Sequence, residues 1–307
     1  MLSLVLLACY GLASVLLSAA VAAAWRGGLV GEGWRSESIL ALRLLPSIGA
    51  FVLTVGVALP AFMEKEPGSS QELAGPLVLF IAALVLLIVA DRAIRVSRAC
   101  AAIGPLRRRL NTTGGSIDLA GESVEIVDAD APLVAVIGVW RQRIIASRKV
   151  VDSCCEDEFR QVIAHEAAHV AARDNLRALL VLASPDFLAR TSIAEAIARR
   201  WRCAAEFEAD DRATGADRSA RVALASALVK VARLASKAPV ALPVLSASIV
   251  AGEVEDRVRR LLAPPRASPR VYQRGYIIAA ALLIPIMASP GYDAIHDCLE
   301  TIVALGR

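Results

Sequence analysis

Three long runs without charge alternate with short polar connections in the first ninety positions of the chain. Leu2 to Trp25, Leu44 to Phe62 and Leu73 to Ala90 carry no ionisable side chain except cysteine or tyrosine, and each is long enough to cross a bilayer. A tip rich in Glu, Lys, Pro and Gly, Glu64 to Ser70, separates the second and third as a turn. A fourth run, Gly275 to Tyr292, is shorter and holds Pro285. Tyr272, Tyr276 and Tyr292 stand where interfacial rings are expected.

Between the third and fourth runs the periodicity changes. Ser123 to Val127 alternates and predicts a strand; Leu133 to Val139 and Gln142 to Ser147 predict two more, with a turn near Trp140-Arg141. A helix follows, with Asp152 or Ser153 as its cap and Glu156, Asp157 and Glu158 in its first turn, running to about Arg173. Asp174 and Asn175 suit the cap of the next helix, Leu176 to Leu182. A long helix is predicted over Ser192 to Thr214, closed by Gly215. Arg218 to Ser236 and Val254 to Leu262 predict two more, the last stopped by Pro264-Pro265. Ala183 to Arg190 and Lys237 to Ala251 read as loops. The expected fold is an α-helical membrane protein with an α+β domain between the third and fourth spans. Its boundaries are 1–90 for the first three helices, 91–274 for the domain, and 275–307 for the last helix and a short tail.

Composition agrees with this division. The 307 residues are 56% hydrophobic with a mean hydropathy of +0.56, and the excess sits in the charge-free runs. Nothing basic precedes Arg26, so the first run is expected as an uncleaved span rather than a signal peptide. Leu6-Leu7-Ala8-Cys9 resembles a lipoprotein cleavage site only superficially, without the basic leader. Arg26, Arg35 and Arg43 flank the first loop, and Arg92, Arg95, Arg98 and Arg107 to Arg109 follow the third span. The second loop (Glu64, Glu66 and Glu72 against Lys65) and the tail (Asp293, Asp297 and Glu300 against Arg307) are acidic. The positive-inside rule then puts the α+β domain in the cytoplasm and both termini outside. Arg107-Arg108-Arg109 is expected to anchor at the membrane surface, with docking of an acidic partner as the alternative. Aromatic residues are too few for base stacking, so no direct nucleic-acid contact is expected. Cys9, Cys100, Cys154, Cys155, Cys203 and Cys298 contain no CxxC pair and read as reduced thiols.

The chemistry lies in His165-Glu166-Ala167-Ala168-His169, an HExxH motif with two of the three histidines in the chain. Histidines four apart on a helix project from one face, so both imidazoles can reach one metal ion. Glu166 is then placed to take a proton from the attacking water. A catalytic zinc needs a third protein ligand. His296 lies beyond the fourth run, so a carboxylate is expected. Glu206 and Asp210 share a face of the predicted 192–214 helix, Glu206 as ligand and Asp210 as hydrogen-bond acceptor for a ligand imidazole. Glu208 is the rival ligand, but Arg212 four residues on suits it to a surface ion pair. Asp211 is expected to face solvent, and Arg199, Arg200 and Arg202 to form a solvated helix edge. Asp174 is read chiefly as a helix cap, with a hydrogen bond to His169 as the alternative. The strand at 133–139, or its partner, could pair with an extended substrate. Tyr272, Tyr276 or an arginine could stabilise an oxyanion. A chance HExxH on a surface helix is the bland alternative; the scarcity of histidine and the downstream Glu206/Asp210 pair oppose it.

The motif followed by Arg173-Asp174-Asn175-Leu176, the strand end Ile144-Ile145-Ala146, the segment Glu206-Phe207-Glu208-Ala209-Asp210 and the helix from Val254-Glu255-Asp256-Arg257-Val258 to Leu262 together resemble the BlaR/MecR-type membrane metallopeptidases. The likeness covers roughly residues 1–292. It implies a zincin-like (gluzincin) catalytic domain holding one Zn2+ ion, and zinc endopeptidase activity at the bacterial inner membrane. It also implies signal transduction through a protein substrate such as a cytosolic transcriptional repressor. About fifteen residues follow the fourth run, so the extracellular penicillin-binding sensor domain is expected to be lacking. A separate sensor protein and the lipid bilayer are the further expected partners. The ligand segment is also similar to HtpX-like and CAAX-prenyl-type metallopeptidases, which implies membrane-protein quality control instead. A non-catalytic zinc-binding signalling scaffold is the non-enzyme alternative, and the intact Glu166 opposes it.

Overall fold

A computed structural model of the chain describes residues 2–31, 33–65, 75–109, 115–119, 121–129, 131–236 and 251–263. The fourth apolar run, with Tyr272, Tyr276, Tyr292 and His296, lies outside the described residues. Helix α1 spans Leu2–Arg26. Helix α2, Ser36–Leu53, continues through a π-helical turn at Thr54–Ala58 into α3, Leu59–Lys65. Helix α4 is Pro76–Arg109. Four strands follow: β1 Ser116–Leu119, β2 Glu122–Val127, β3 Val134–Ile137 and β4 Arg143–Ser147. The remaining helices are α5 Arg148–Ser153, α6 Glu156–Ala172, α7 Asp174–Ala183, α8 Ser192–Thr214, α9 Arg218–Ala235 and α10 Ala251–Leu262, with a 3-10 turn at Phe187–Arg190 before α8. Among the described residues, three helical stretches, Leu2–Arg26, Ser36–Met63 and Pro76–Ala102, are long and apolar enough to cross a membrane. The described thiols, Cys9, Cys100, Cys154, Cys155 and Cys203, form no disulfide.

The chain forms two compact units. The first holds the described residues up to Val96 together with Leu180–Trp201, and the second holds Ser97–Leu179 and the described residues from Arg202 onward. In the first unit Leu17 of α1 packs with Ala50, Leu53 and Val57 of the second apolar stretch. A Cβ on Gly11 would stand 2.6 Å from Ile81 Cγ2 and 2.9 Å from Val85 Cγ2, so only glycine lets α1 and α4 approach so closely. The second apolar helix begins at Ser36, not Leu44, and takes in Arg43, expected as a loop residue. Arg43 is only 2% exposed, and its charge is met by Asp186, Nη1 to Oδ2 at 2.9 Å. The pairing is what allows an arginine inside this helix.

The second unit is built on a sheet of order β1-β2-β4-β3. Strands β2 and β4 run parallel, with Val124 opposite Ile144 and Val127 opposite Ser147; β1 and β3 pair antiparallel at the two edges. Val124, Ile126, Val136, Ile144 and Ala146 form one apolar face, on which Phe159 and Ile163 of α6 pack. Val162, on another side of α6, meets Leu224, Ala225 and Leu228 of α9 and Val254 and Leu261 of α10. Helix α6 is thus enclosed by sheet and helices. Strand β1 was not predicted; three of its four residues are exposed, so it carries no burial pattern to read.

The cap of α6 differs from expectation. Asp152 and Ser153 belong to the short helix α5, and Cys155 caps α6 in a reciprocal box with Glu158. Glu158 is 6% exposed, and its carboxylate accepts from Cys155 N at 2.8 Å, Ser226 Oγ at 2.6 Å and Lys230 Nζ at 2.6 Å. Burial pushes its pKa up, but these donors, Lys230 foremost, outweigh burial and hold it at about 2. A depressed carboxylate stabilises the fold above its ordinary pKa near 4.5, and that contribution is lost as pH falls through about 2. We expect Glu158→Gln to lose about 2 kcal/mol at neutral pH. In thermal melts of detergent-solubilised protein, the gap to wild type should close as the pH falls from about 4.5 to about 2. Equal melting points at neutral pH would contradict this account of the α6–α9 contact.

Candidate active site

Helix α6 presents Val162, His165, Glu166 and His169 along one stripe, at the i, i+3, i+4 and i+7 spacing of a helix face. Val162 sits in the apolar contact with α9 and α10, which turns the polar members of the stripe inward. The two rings meet edge to face, centroids 4.7 Å apart. Their Nε2 atoms are 3.1 Å apart. Glu206 of α8 completes a triangle, with Oε2 3.3 Å from His165 Nε2 and Oε1 3.6 Å from His169 Nε2. Ligands on a tetrahedral ion with bonds of about 2.0 Å stand about 3.3 Å from one another. The donor set of two imidazoles and one carboxylate, with ligand atoms all within 4.8 Å, therefore fits a zinc ion.

The other ring nitrogens strengthen that fit. His169 Nδ1 lies 2.7 Å from Asp174 Oδ2, and His165 Nδ1 lies 3.0 Å from Asp210 Oδ1. Each carboxylate accepts a hydrogen bond from the Nδ1–H, which fixes the tautomer that leaves the Nε2 lone pair for an ion. Asp210 and Glu206 stand where the i, i+4 spacing put them. Glu208 instead pairs with Arg212 at 3.7 Å. Asp211 is 54% exposed and paired with Arg260.

Asp174 departs from its main expectation as a cap. Arg173 adopts a left-handed conformation, φ 54°, ending α6 and starting α7 at Asp174 itself. That single residue redirects the chain and brings the Asp174 carboxylate back to His169. Asn175, the other expected cap, donates its Nδ2 to Val136 O at 3.0 Å and Gly138 O at 2.8 Å. It therefore holds α7 against the end of the edge strand β3. Leu133 O points to β4, where it accepts from Ser147 N, so the outward carbonyls of this edge are the even-numbered ones that Asn175 partly occupies.

Arg257 of α10 was not foreseen. Its Nη1 pairs with Glu206 Oε2 at 2.7 Å, and Nη2 and Nε grip Asp210 at 2.6 and 3.0 Å. Nη2 is nearly equidistant from both nitrogens of His165, 3.2 and 3.4 Å, which places it over the ring face rather than in line with a lone pair. A signal existed. Val254, Val258 and Leu261 mark an apolar stripe on α10, and Arg257 falls on it. A charge on a buried stripe demands a buried partner.

The electrostatics are those of a tightly compensated cluster. Burial disfavours the His169 imidazolium, but Asp174 and Glu206 outweigh it and lift the pKa to about 10. His165 is raised in the same way by Asp210 and Glu206 against its burial. Burial pushes Glu206 up, yet His165, His169 and Arg257 hold it well below the carboxylate range; Asp210 is lowered by His165 and Arg257. Glu166 is half-buried and close enough to strengthen the basicity of both His169 and Arg257.

Residues 106–235 match the model of peptidase family M48. The matched stretch covers His165, Glu166, His169, Asp174, Glu206 and Asp210 and is similar to metallopeptidases. Peptidases of family M48 are zinc-dependent, in keeping with the His165/His169/Glu206 cluster. No curated protein and no solved structure matches the chain.

Below about pH 10 His169 carries a proton, which a zinc ion held at this site would have to displace. Metal affinity, measured by chelator competition between pH 6 and 8, should therefore rise about tenfold per pH unit for each proton displaced. A flat profile would contradict the charge state described. Asp174→Ala should weaken metal binding on the order of 10- to 100-fold by removing the acceptor on His169. Wild-type affinity in that variant would return Asp174 to a purely structural role.

Proposed function

We propose that the protein is a membrane-associated zinc endopeptidase with His165, His169 and Glu206 as its metal ligands and Glu166 as its base. The observation that carries this reading is the triangle of Nε2, Nε2 and carboxylate oxygen with Glu166 next to it in sequence. When bound, zinc polarises the scissile carbonyl and acidifies the attacking water. Glu166 takes the water proton and passes it to the leaving amine. Asp174 and Asp210 fix the tautomer and orientation of the two imidazoles. Arg257 balances the charge of Glu206 and Asp210 and holds both against α10, so neither carboxylate swings out of line. Strand β3 is the candidate for pairing with an extended substrate. Asn175, on the carbonyl of Val136 and on that of Gly138 just past the strand, narrows the register such a substrate can take.

The substrate is a cytosolic or membrane-proximal protein, and the catalytic domain faces the cytoplasm of a bacterial inner membrane with both termini outside. The charge distribution around the apolar runs supports that orientation. The regulatory reading takes a repressor-type substrate and a separate sensor protein as partners. The HtpX-like quality-control reading is supported equally by the M48 match. Glu166→Gln serves both. It should bind zinc as wild type does while losing about 10²- to 10⁴-fold in turnover, and it should hold uncleaved substrate for identification. One dominant regulator among the trapped proteins supports signalling, and a broad set of damaged membrane proteins supports quality control. Unchanged turnover in Glu166→Gln would defeat the peptidase mechanism.

A further inference from the structure

Where the apolar part of α4 ends, positive charge exceeds what its partners can meet. Three guanidiniums converge on one carboxylate, Asp91. Arg95 donates through Nε to Oδ1 at 3.2 Å and to Oδ2 at 3.0 Å. Arg92 Nη2 lies 3.1 Å from Oδ2, and Arg190 Nη1, from the 3-10 turn before α8, lies 3.7 Å from the same oxygen. Asp186 is a second carboxylate near Arg92, but it is already spent. Its Oδ2 accepts from Arg43 Nη1 at 2.9 Å and Ser47 Oγ at 2.6 Å, and its Oδ1 accepts from Ala189 N at 2.8 Å. Four guanidiniums thus meet two carboxylates. Arg92 is 7% exposed, and its Nε is buried without an acceptor among the described residues. All of these groups belong to the first compact unit.

Such a surplus calls for an anion. The Arg95 and Arg190 side chains are 51% and 63% exposed, so Asp91 gathers the guanidiniums without covering them. A guanidinium presents its donors in a planar fork that matches a phosphate, and clustered arginines at a membrane boundary attract anionic headgroups. The apolar surface leading to the cluster narrows the ligand further. Phe80, Leu87 and Ile94 recur every two turns of α4 and are 66%, 67% and 51% exposed among the described residues. Asp91 stands one turn beyond Leu87 on that stripe, and Arg95 one turn beyond Asp91. A bilayer covers an apolar stripe whatever its lipids; the arginines at its end distinguish one headgroup from another. Residues that merely mark the membrane boundary would need no convergence, and no Arg190 from a distant part of the sequence.

We propose that Arg92, Arg95 and Arg190 form a binding site for the phosphate of an anionic phospholipid, whose acyl chains lie along the Phe80/Leu87/Ile94 stripe of α4. Arg95 and Arg190 meet the phosphate oxygens from the exposed side, and Arg92 supplies buried positive charge behind them. Asp91 holds the three guanidiniums together in the absence of lipid. Neither the metal ligands nor the peptidase reading enters into this site.

The test uses full-length protein, delipidated in a neutral detergent and titrated with phosphatidylglycerol, phosphatidylcholine or inorganic phosphate. Bound lipid is counted by native mass spectrometry, and the melting temperature is followed in parallel. Phosphatidylglycerol should bind about tenfold more tightly than zwitterionic phosphatidylcholine and raise the melting temperature. Inorganic phosphate, which lacks the chains, should bind far more weakly. Arg95 and Arg190 are exposed, so Arg95→Gln and Arg190→Gln keep the fold. Each should weaken phosphatidylglycerol binding about fivefold, and the two together about 25-fold, with phosphatidylcholine unaffected. Arg199→Gln removes another exposed arginine, one paired with Glu195, and should change neither lipid. Equal affinity for the two lipids in wild type, or a wild-type preference in the double variant, would overturn the proposal. Inorganic phosphate binding as tightly as phosphatidylglycerol would overturn it too, because the site would then take a soluble phosphate rather than a lipid.

Discussion

The second unit depends on a balance of charge at one buried point. Two carboxylates from one turn of α8 face two imidazoles from one turn of α6, and the Arg257 guanidinium closes the cluster from α10. Each group is costly to bury alone and is tolerable only with the others in place. This requirement fixes how three helices meet. Helix α6 must turn Val162, His165 and His169 to one side, α8 must present Glu206 and Asp210 four residues apart, and α10 must bring an arginine on its apolar stripe. The sheet supplies the rigid back against which α6 is held by Phe159 and Ile163.

Much of this was legible because helix periodicity is a strong signal. The i, i+4 spacing of His165 and His169, and of Glu206 and Asp210, by itself puts each pair on one helix face. Helix α8 runs from Ser192 to Thr214 and ends at Gly215, whose φ of 53° shows why a glycine stands there. Strands β2, β3 and β4 announced themselves by burial on alternating or continuous apolar positions. Strand β1 did not, because an exposed edge strand has no such pattern. Long-range pairings were equally silent. Nothing local to Arg43 points to Asp186, and nothing in α10 but the position of Arg257 on an apolar stripe points to the buried His165/His169/Glu206 cluster.

Asp174 shows a third kind of limit. Capping and bonding to His169 were both open to a residue at that position, and the local sequence favoured capping. The choice was made by the φ of Arg173, a non-glycine residue in the left-handed region, which sequence rules do not foresee. Such conformations cost energy and persist where the surrounding contacts over-determine them. Here those contacts are the Asp174 bond to His169 and the Asn175 bonds to β3, so the strained turn, the second carboxylate–imidazole pair and the edge strand belong to one local arrangement.

The central claim is the ligand set, and metal content tests it most directly. Protein purified under zinc-replete conditions should carry about one zinc per chain, measured by mass spectrometry of the metal. Glu206→Ala should lose that metal and Glu208→Ala should keep it. Full zinc retention in Glu206→Ala together with loss in Glu208→Ala would contradict the triangle of His165, His169 and Glu206.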